Sequence, residues 1–396
     1  MKETVIVSSA RTAFGRLAGA LKDFTAQELG GIAIAEAVKR AGIDPAAVDC
    51  VIMGQVLTGG QGQITARQAA VKGGIPREVW CINVNKVCIS SMSALEMADM
   101  MVKTGEAEVL VVGGQESMTN APYFIPKARL GYRMGNGTLV DGMIHDGLWD
   151  AFENVHMGKG SDIWAAKYGI TREQMDLVGA RSHQRAAAAM EKGLLTEEIV
   201  PVEIPQKKGD PVVFDRDEGV RPDTTVEKLA ALKPAFDKEG AITAGNASQI
   251  NDGACAAVVM SAEKAKELGL EPLCKVVSYG CSAGEFADLH PHPANAILKA
   301  LDKAGLKVED VSLFEINEAF ASVTWRSVQM LGLDPEKMEN VNVNGGAIAF
   351  GHPIGVSGIR IVTTLAYELR RRGGGYGAAG ICGGGGQGDG MLIKVG

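Results

Sequence analysis

A long internal duplication limits the folds open to this chain more than any other feature of it. The stretch "AVKRAGIDPAAVDCVIMGQV", residues 37–56, aligns without a gap to "ALDKAGLKVEDVSLFEINEA", residues 300–319. Each reads as a helix end, an Ala-Gly stop, a turn and a strand. Further on, "INVNKVCISSMSALEMA" from Ile82 and "VNVNGGAIAFGHPIGVSGIRIV" from Val341 share Asn-Val-Asn ahead of a helix rich in small residues. An apolar strand ending in glycines follows each helix: "EVLVVGG" to Gly114, and "YGAAGICGGGG" to Gly386. A repeat of this length is far larger than a solenoid unit, so it implies two copies of one α/β half. Strands alternating with helices in both halves predict helices packed on both sides of mixed sheets.

The copies are not contiguous. After residue 118 the chain becomes richer in Met, Gly, charges and loops, and "GACAAVVMSAEKAKELGL" then supplies a strand and a helix that complete the first copy. The expected division is 1–118 with 250–270 as the N-terminal half, 119–249 as an inserted loop domain, and 271–396 as the C-terminal half.

Composition excludes several function classes. With 396 residues, 46% apolar and 22% charged, the chain is an ordinary globular protein with room for two or three domains. A net charge of -7 without a basic stripe argues against nucleic-acid or anionic-membrane partners. The start "MKETVIVSSARTAFG" enters a strand-like run without the apolar core of a signal peptide, so a cytoplasmic protein is expected. Seven cysteines, odd in number and without C-x-x-C spacing, argue against a disulfide framework and a structural zinc site; no metal is expected.

Four residues stand where chemistry can be done. Cys88 precedes "ISSMSALEMADMMVKTG", a buried-helix pattern, and a thiol at a helix N-terminus is favoured as thiolate; the alternative is a small residue in tight packing. His352 lies in "NGGAIAFGHPIGVSG", where five glycines and Pro353 set an irregular loop in the repeat element equivalent to that of Cys88. Pseudo-symmetry would bring the two helix starts together as nucleophile and base. Asn317 in "FEINEAFAS" ends a strand and either points into a site or caps the next helix. Cys382 opens "CGGGGQGDG", whose Gly383-x-Gly385-x-x-Gly388 spacing mimics a dinucleotide fingerprint. Too little chain follows for a βαβ unit, so two short strands joined by glycines are expected, with bare backbone close to a ligand.

"NKVC", "NEAFA", "GGAIAFGHPIGVSG" and "CGGGGQGDG", in this order and spacing, resemble the thiolase family, and the likeness runs from Arg11 to the C-terminus. It implies a five-layered αβαβα fold with an inserted loop domain. It also implies Cys88 as acyl-carrying nucleophile, His352 as its activator and Cys382 as the acid/base acting on the α-carbon of a second acyl-CoA. Asn317, through a water, and His352 would hold one thioester oxygen, and the N–H groups of Cys88 and Gly384 the other. Leu148, His156, Met157, Arg221, Phe236, Ala244, Ser248, Ala319 and Phe320 fall on coenzyme A positions, with Arg221 at the nucleotide end and Met157 and Phe236 along the pantetheine arm. Leu148 and Phe236 are equally readable as core. The section 121–142 resembles a loop used in tetramers, so a homotetramer is expected. Coenzyme A thioesters are substrates, and no cofactor is implied.

The resemblance implies an acyl-CoA C-acyltransferase of fatty-acid metabolism. Ping-pong Claisen condensation of two acetyl-CoA molecules, or its reverse, is the leading expectation; cleavage of longer 3-ketoacyl-CoA chains in β-oxidation is the alternative. Two places depart from the family. "CISSM" puts Ile89 and Ser91 beside the nucleophile, and "GEFADLHPHPANAI" offers Leu289 and His290 where acetoacetyl-CoA-forming members carry Met-Gly-x-Gly-Pro. His290 and His292 are read as either pocket lining or solvated loop residues. A nicotinamide oxidoreductase lacks a fingerprint in context, and a non-catalytic acyl-CoA-binding subunit would not need all four reactive residues.

Overall fold

The computed structural model describes residues 2–396 and shows the duplication element by element. The first copy runs β1 (Thr4–Thr12), α1 (Ala26–Ala41), β2 (Cys50–Gly54), α2 (Thr65–Lys72), β3 (Trp80–Val84), α3 (Ser90–Thr104) and β4 (Val109–Ser117). The chain then leaves the sheet and builds, among smaller elements, α4 (Met157–Lys167) and α5 (Arg172–Glu191). It returns as β5 (Asn251–Ser261) and α6 (Ala262–Glu267). The second copy runs β6 (Cys274–Ala283), α7 (His292–Ala304), β7 (Val311–Ile316), α8 (Ala321–Met330), α9 (Ser357–Arg371), β8 (Gly375–Gly383) and β9 (Gln387–Val395).

The equivalence extends to the turns. Gly42 and Gly305, the Ala-Gly stops of the aligned segments, both end their helices in the left-handed region, at φ 68° and 66°. That conformation favours glycine at a helix C-terminus. A single 3₁₀ turn follows each, Pro45–Ala47 and Val308–Asp310, before β2 and β7 begin.

Among the described residues the strands follow one hydrogen-bonded path, β7-β8-β9-β6-β1-β5-β4-β2-β3. The copies meet where β1 pairs β6 antiparallel, with Val5 opposite Lys275. On either side the pattern repeats: β2 is parallel to β4 as β7 is to β8, and β4 is antiparallel to β5 as β8 is to β9. The repeat departs at β3, whose counterpart, the "VNVN" of the second copy, makes only the isolated bridge Val341 to Phe314. α1 and α2 cover one outer face, and α7 and α8 the other. α3 and α9 lie between the halves and touch strands of both. Every residue of α9 from Ser357 to Leu369 is buried, as a helix in the central layer of five must be.

The inserted segment begins and ends at neighbouring sheet positions, since Asp252 sits opposite Ser117. It is bound tightly to the core. Ile199 and Val200 pair with β1, and the fully buried Arg11 guanidinium reaches Glu198 at 2.7 Å and Asp217 at 2.8 and 2.9 Å. No described helix is long and apolar enough to cross a membrane, and all seven cysteines are unpaired.

α3 and α9 approach at their starts, where Gly358 of α9 lies on α3, and the loop just before α9 settles on β4 at Gly114. A Cβ on Gly358 would stand 2.5 Å from the Met92 nitrogen, and one on Gly114 would stand 2.3 Å from the Gly355 carbonyl oxygen. Both obstacles are backbone, so neither can swing aside. Gly114→Ala is therefore expected to lower unfolding free energy by about 1–3 kcal/mol, the range for overpacking a close-packed interior. Denaturant unfolding checks this, and an unchanged midpoint would contradict the tight contact.

Candidate active site

The meeting of the two helix starts brings the first two candidate residues together. Ser91 Oγ, in the first turn of α3, accepts the N–H of Ile359 in the first turn of α9 at 3.0 Å. Cys88 lies two residues before α3, in a turn where Val87 takes φ 51°. His352 lies in the loop between a single helical turn, Ala347–Phe350, and α9. Its N–H donates to the Gln249 carbonyl and Asn251 Oδ1, at the point where the inserted segment re-enters the sheet. Glu116, at the end of β4, accepts the N–H groups of Val56, Leu57 and Gly355 and so fastens the His352 loop to the first copy.

The imidazole has a defined orientation. His352 Nδ1 lies 2.5 Å from Ser357 Oγ, which also reaches the Pro353 carbonyl at 3.3 Å. Ser357 thus orients the ring through Nδ1 and turns Nε2 into the site. Nε2 is buried and has no protein partner. Asn317 Nδ2 is likewise buried without a partner, while its Oδ1 accepts from Arg360 at 3.4 Å. Interior polar atoms are seldom left so, and the site asks for a ligand group to complete them. Asn317 does not cap α8, whose cap position is Phe320 with no side-chain bond. The capping reading left open by the sequence is thereby removed.

Cys382 sits fully buried at the end of β8, opposite Gly388 of β9. The glycine run is the hairpin between these strands, with no helix after it, so the nucleotide fingerprint has no structural context. The hairpin packs on the Cys88 turn: a Cβ on Gly383 would meet Ile89 Cδ1 at 2.7 Å, and one on Gly384 would meet Val87 at 3.5 Å and Met157 Cε at 3.1 Å.

Electrostatics corrects one expectation. The start of α3 was expected to favour the Cys88 thiolate, yet burial, with Glu116 as a nearby carboxyl, pushes that thiol up to about 12. Desolvation outweighs the helix terminus because the sulfur is enclosed and does not cap the helix itself. Burial, helped by the Arg360 charge, pulls His352 down to about 3. The resting pair is thus a neutral thiol beside a neutral imidazole. Burial and the neighbouring Cys88 also hold Cys382 well above the ordinary thiol value. The two sulfurs are close enough that only one readily carries charge.

Most of the proposed coenzyme positions gather against this centre. Met157 and Phe320 share a buried apolar cluster with Cys382, Ala319, Leu289 and Ile348. Phe236 stacks on His156 at 4.7 Å and meets Phe320 edge-on at 6.2 Å. Ser248 N–H donates to the Ala319 carbonyl, tying the inserted segment to the "NEAFA" turn. His156 also caps α4 through Nδ1. Leu148 is half-buried against the central cluster that also contains Cys88 and Ile89. Ala244 and Arg221 are exposed, and the Arg221 N–H donates to His183.

His290 and His292 are both buried, which removes the solvated reading. His290 bridges Asp288 and Ser322, each at 3.0 Å, and Tyr168 binds the same carboxylate at 2.5 Å. This network fixes Leu289 in the apolar cluster. Ser357, Arg360 and Glu116 escaped sequence reasoning. Ser357 and Arg360 stand in the helix pattern directly after the His352 loop, but nothing in one strand's pattern marks Glu116 as a brace.

The chain matches known proteins over its whole length. The thiolase N-terminal domain profile matches residues 4–263 and the thiolase C-terminal domain profile residues 270–395. A protein of Mycolicibacterium smegmatis named probable acetyl-CoA acetyltransferase is 51% identical over 98% of this chain and 100% of its own length. One of Pseudomonas aeruginosa named acetyl-CoA acetyltransferase is 50% identical over 99% of both chains. The crystal structure of the Bacillus anthracis acetyl-CoA acetyltransferase superposes with a TM-score of 0.96 at 42% identity, covering 100% of this chain and 99% of that one.

A neutral resting thiol has a kinetic signature. Alkylation of ligand-free Cys88, followed by mass spectrometry of its peptide, is expected to accelerate about tenfold per pH unit from about pH 6 to pH 9, because only the thiolate reacts. His352, neutral throughout that range, supplies no inflection. A plateau below neutral pH would show a thiolate–imidazolium pair instead.

Proposed function

This chain belongs to the thiolase family, and from that premise we propose that it is an acetyl-CoA C-acetyltransferase, condensing two acetyl-CoA molecules to acetoacetyl-CoA and coenzyme A or cleaving the product. The observation that carries the mechanism is a pair of buried thiols, in which Cys88 opposes ionisation of Cys382, together with an unpartnered imidazole nitrogen and an unpartnered amide.

In the first half-reaction His352 Nε2 takes the Cys88 proton as the sulfur attacks the thioester carbon. Proton transfer accompanies bond formation, because neither partner is charged at rest and burial disfavours charging them separately. The developing oxyanion is held by the buried donors at the site, where low dielectric makes them count. The departing coenzyme thiolate takes a proton from Cys382, leaving an acetylated Cys88, a protonated His352 and a Cys382 thiolate. Acetylation removes the charge that Cys88 could bear, and with it the repulsion that opposed ionisation of Cys382. In the second half-reaction Cys382 removes an α-proton from a second acetyl-CoA and the carbanion attacks the acetyl carbon. The Cys88 thiolate then leaves and recovers its proton from His352. Protons balance over the cycle.

The same reading assigns the cluster of Met157, Phe236, Ala319, Phe320 and His156 to the pantetheine arm, and the exposed Arg221 to the nucleotide phosphates. Ala244, Ser248 and Leu148 line the approach. Residues 119–249 form the coenzyme-binding and oligomerisation unit. Tyr123, Ile125, Leu130, Met134 and Leu139 are exposed on one loop of it, which supports assembly into a tetramer through that loop.

Mixing with acetyl-CoA is expected to leave an acetyl group on Cys88, found by mass spectrometry; its absence at saturation would overturn the proposal. Cys382→Ser should still acetylate, more slowly, while condensation falls by about 100- to 10,000-fold, the usual worth of a general base. Thiolysis kcat/KM should be highest for acetoacetyl-CoA and decline as the 3-ketoacyl chain lengthens. The opposite trend would favour the longer-chain activity.

A further inference from the structure

An ion pair between a partly exposed lysine and a buried carboxylate joins the mounts of the two thiols. Lys86, two residues before Cys88, places Nζ 2.8 and 2.7 Å from the two oxygens of Asp389. Asp389 lies in β9 opposite Ile381, the residue before Cys382. Its carboxylate also accepts from Ser93 Oγ at 3.1 Å, in the first turn of α3. One fully buried carboxylate therefore grips both the turn before the nucleophile and the helix after it, from the strand paired with that of the second thiol.

The turn needs such a grip. Val87, between Lys86 and Cys88, holds φ 51°, a costly conformation for a β-branched residue that persists only where its surroundings enforce it. Local bonds contribute: Ser90 Oγ accepts the Lys86 N–H at 2.9 Å and donates to the Val87 carbonyl at 2.6 Å. None of these local bonds spans the gap to the hairpin. Glu96 of α3 and Cys281 of β6 also face Asp389, their ligating atoms within 4.8 Å of one another. Lys86 is the cation of this acidic cluster. Burial, then the Asp389 charge, pushes Glu96 up to about 8, so Glu96 keeps its proton and does not compete for the ammonium.

We infer that Lys86 and Asp389 are positioning residues for acyl transfer, their ion pair setting how the Cys88 sulfur stands relative to the Cys382 sulfur. The inference rests on the thiolase reading. Neither residue touches the reacting atoms. What the pair controls most is alignment in the second half-reaction, where the carbanion generated at Cys382 must reach the acetyl carbon held on Cys88.

The test is a double-mutant cycle on Lys86→Met and Asp389→Asn, with Lys86→Arg as the conservative variant. The Lys86 side chain is 28% exposed, so its truncation leaves water access and a folded protein. Each single variant should lower kcat for condensation by about ten- to a hundredfold, the scale of a small misalignment, with KM for acetyl-CoA within about twofold. The double variant should be no slower than the slower single, since the two act as a unit. Lys86→Arg should restore most of kcat, and single-turnover acetylation of Cys88 should suffer less than condensation. A normal kcat in Lys86→Met, losses that multiply in the double variant, or a loss carried by KM would each overturn the inference. If Asp389→Asn fails to fold, Ser93→Ala, which removes one bond to the same carboxylate, should lower kcat in the wild-type background but not in Lys86→Met; equal effects would overturn it. The wild-type protein separates the two readings: if it forms no acetyl-Cys88, the thiolase reading fails, whatever the variants do.

Discussion

The contact between the starts of α3 and α9 is the constraint on which the rest of the structure depends. Gly358 of α9 lies against the Met92 backbone of α3, Ser91 bonds across to Ile359, and Gly114 of β4 lets the Gly355 carbonyl just before α9 settle on the sheet. Helices with ordinary side chains at those points would stand farther apart, and the turn carrying Cys88 would not reach the loop carrying His352. The central layer, the two flanking half-sheets and the outer helices follow as the packing that buries this pair of helices on all sides. Glu116 and Asn251 then fix the loop, and the inserted segment, clamped through Arg11, supplies the walls.

Burial sets the chemistry as much as proximity does. An enclosed site keeps Cys88 and His352 neutral at rest, which spares the protein the cost of an idle ion pair in a low-dielectric interior. The charges form only as the substrate brings an oxygen able to take up negative charge. Two thiols that repel each other's ionisation also order the proposed cycle, since acetylating one releases the other. The same dryness explains why buried carboxyls nearby are either tied to cations or N–H groups, as Asp389 and Glu116 are, or hold their proton, as Glu96 does.

Much of this was legible before any coordinates. The aligned segments 37–56 and 300–319 foretold equivalent helix ends, turns and strands, and even the two left-handed glycines agree. The glycine run after Cys382 is the hairpin its apolar flanks suggested. The protonation of Cys88 was not legible, because a helix-start pattern says nothing of how deeply the sulfur is enclosed. The Asp288–His290–Ser322 chain was hidden for a related reason: its members come from a loop and from a helix 32 residues away, and local pattern cannot pair them.

By itself the sequence determined the duplicated α/β architecture, the order of its elements and the candidate side chains for chemistry, since periodicity, turn residues and motif spacing are local properties written along the chain. Only the tertiary structure decided which of those side chains share a dry interior, which nitrogen of His352 has no protein partner, and that Lys86 and Asp389 bind across 303 positions. Ionisation and alignment depend on what surrounds an atom in space, and the surroundings of Cys88 are assembled from both copies and the segment between them.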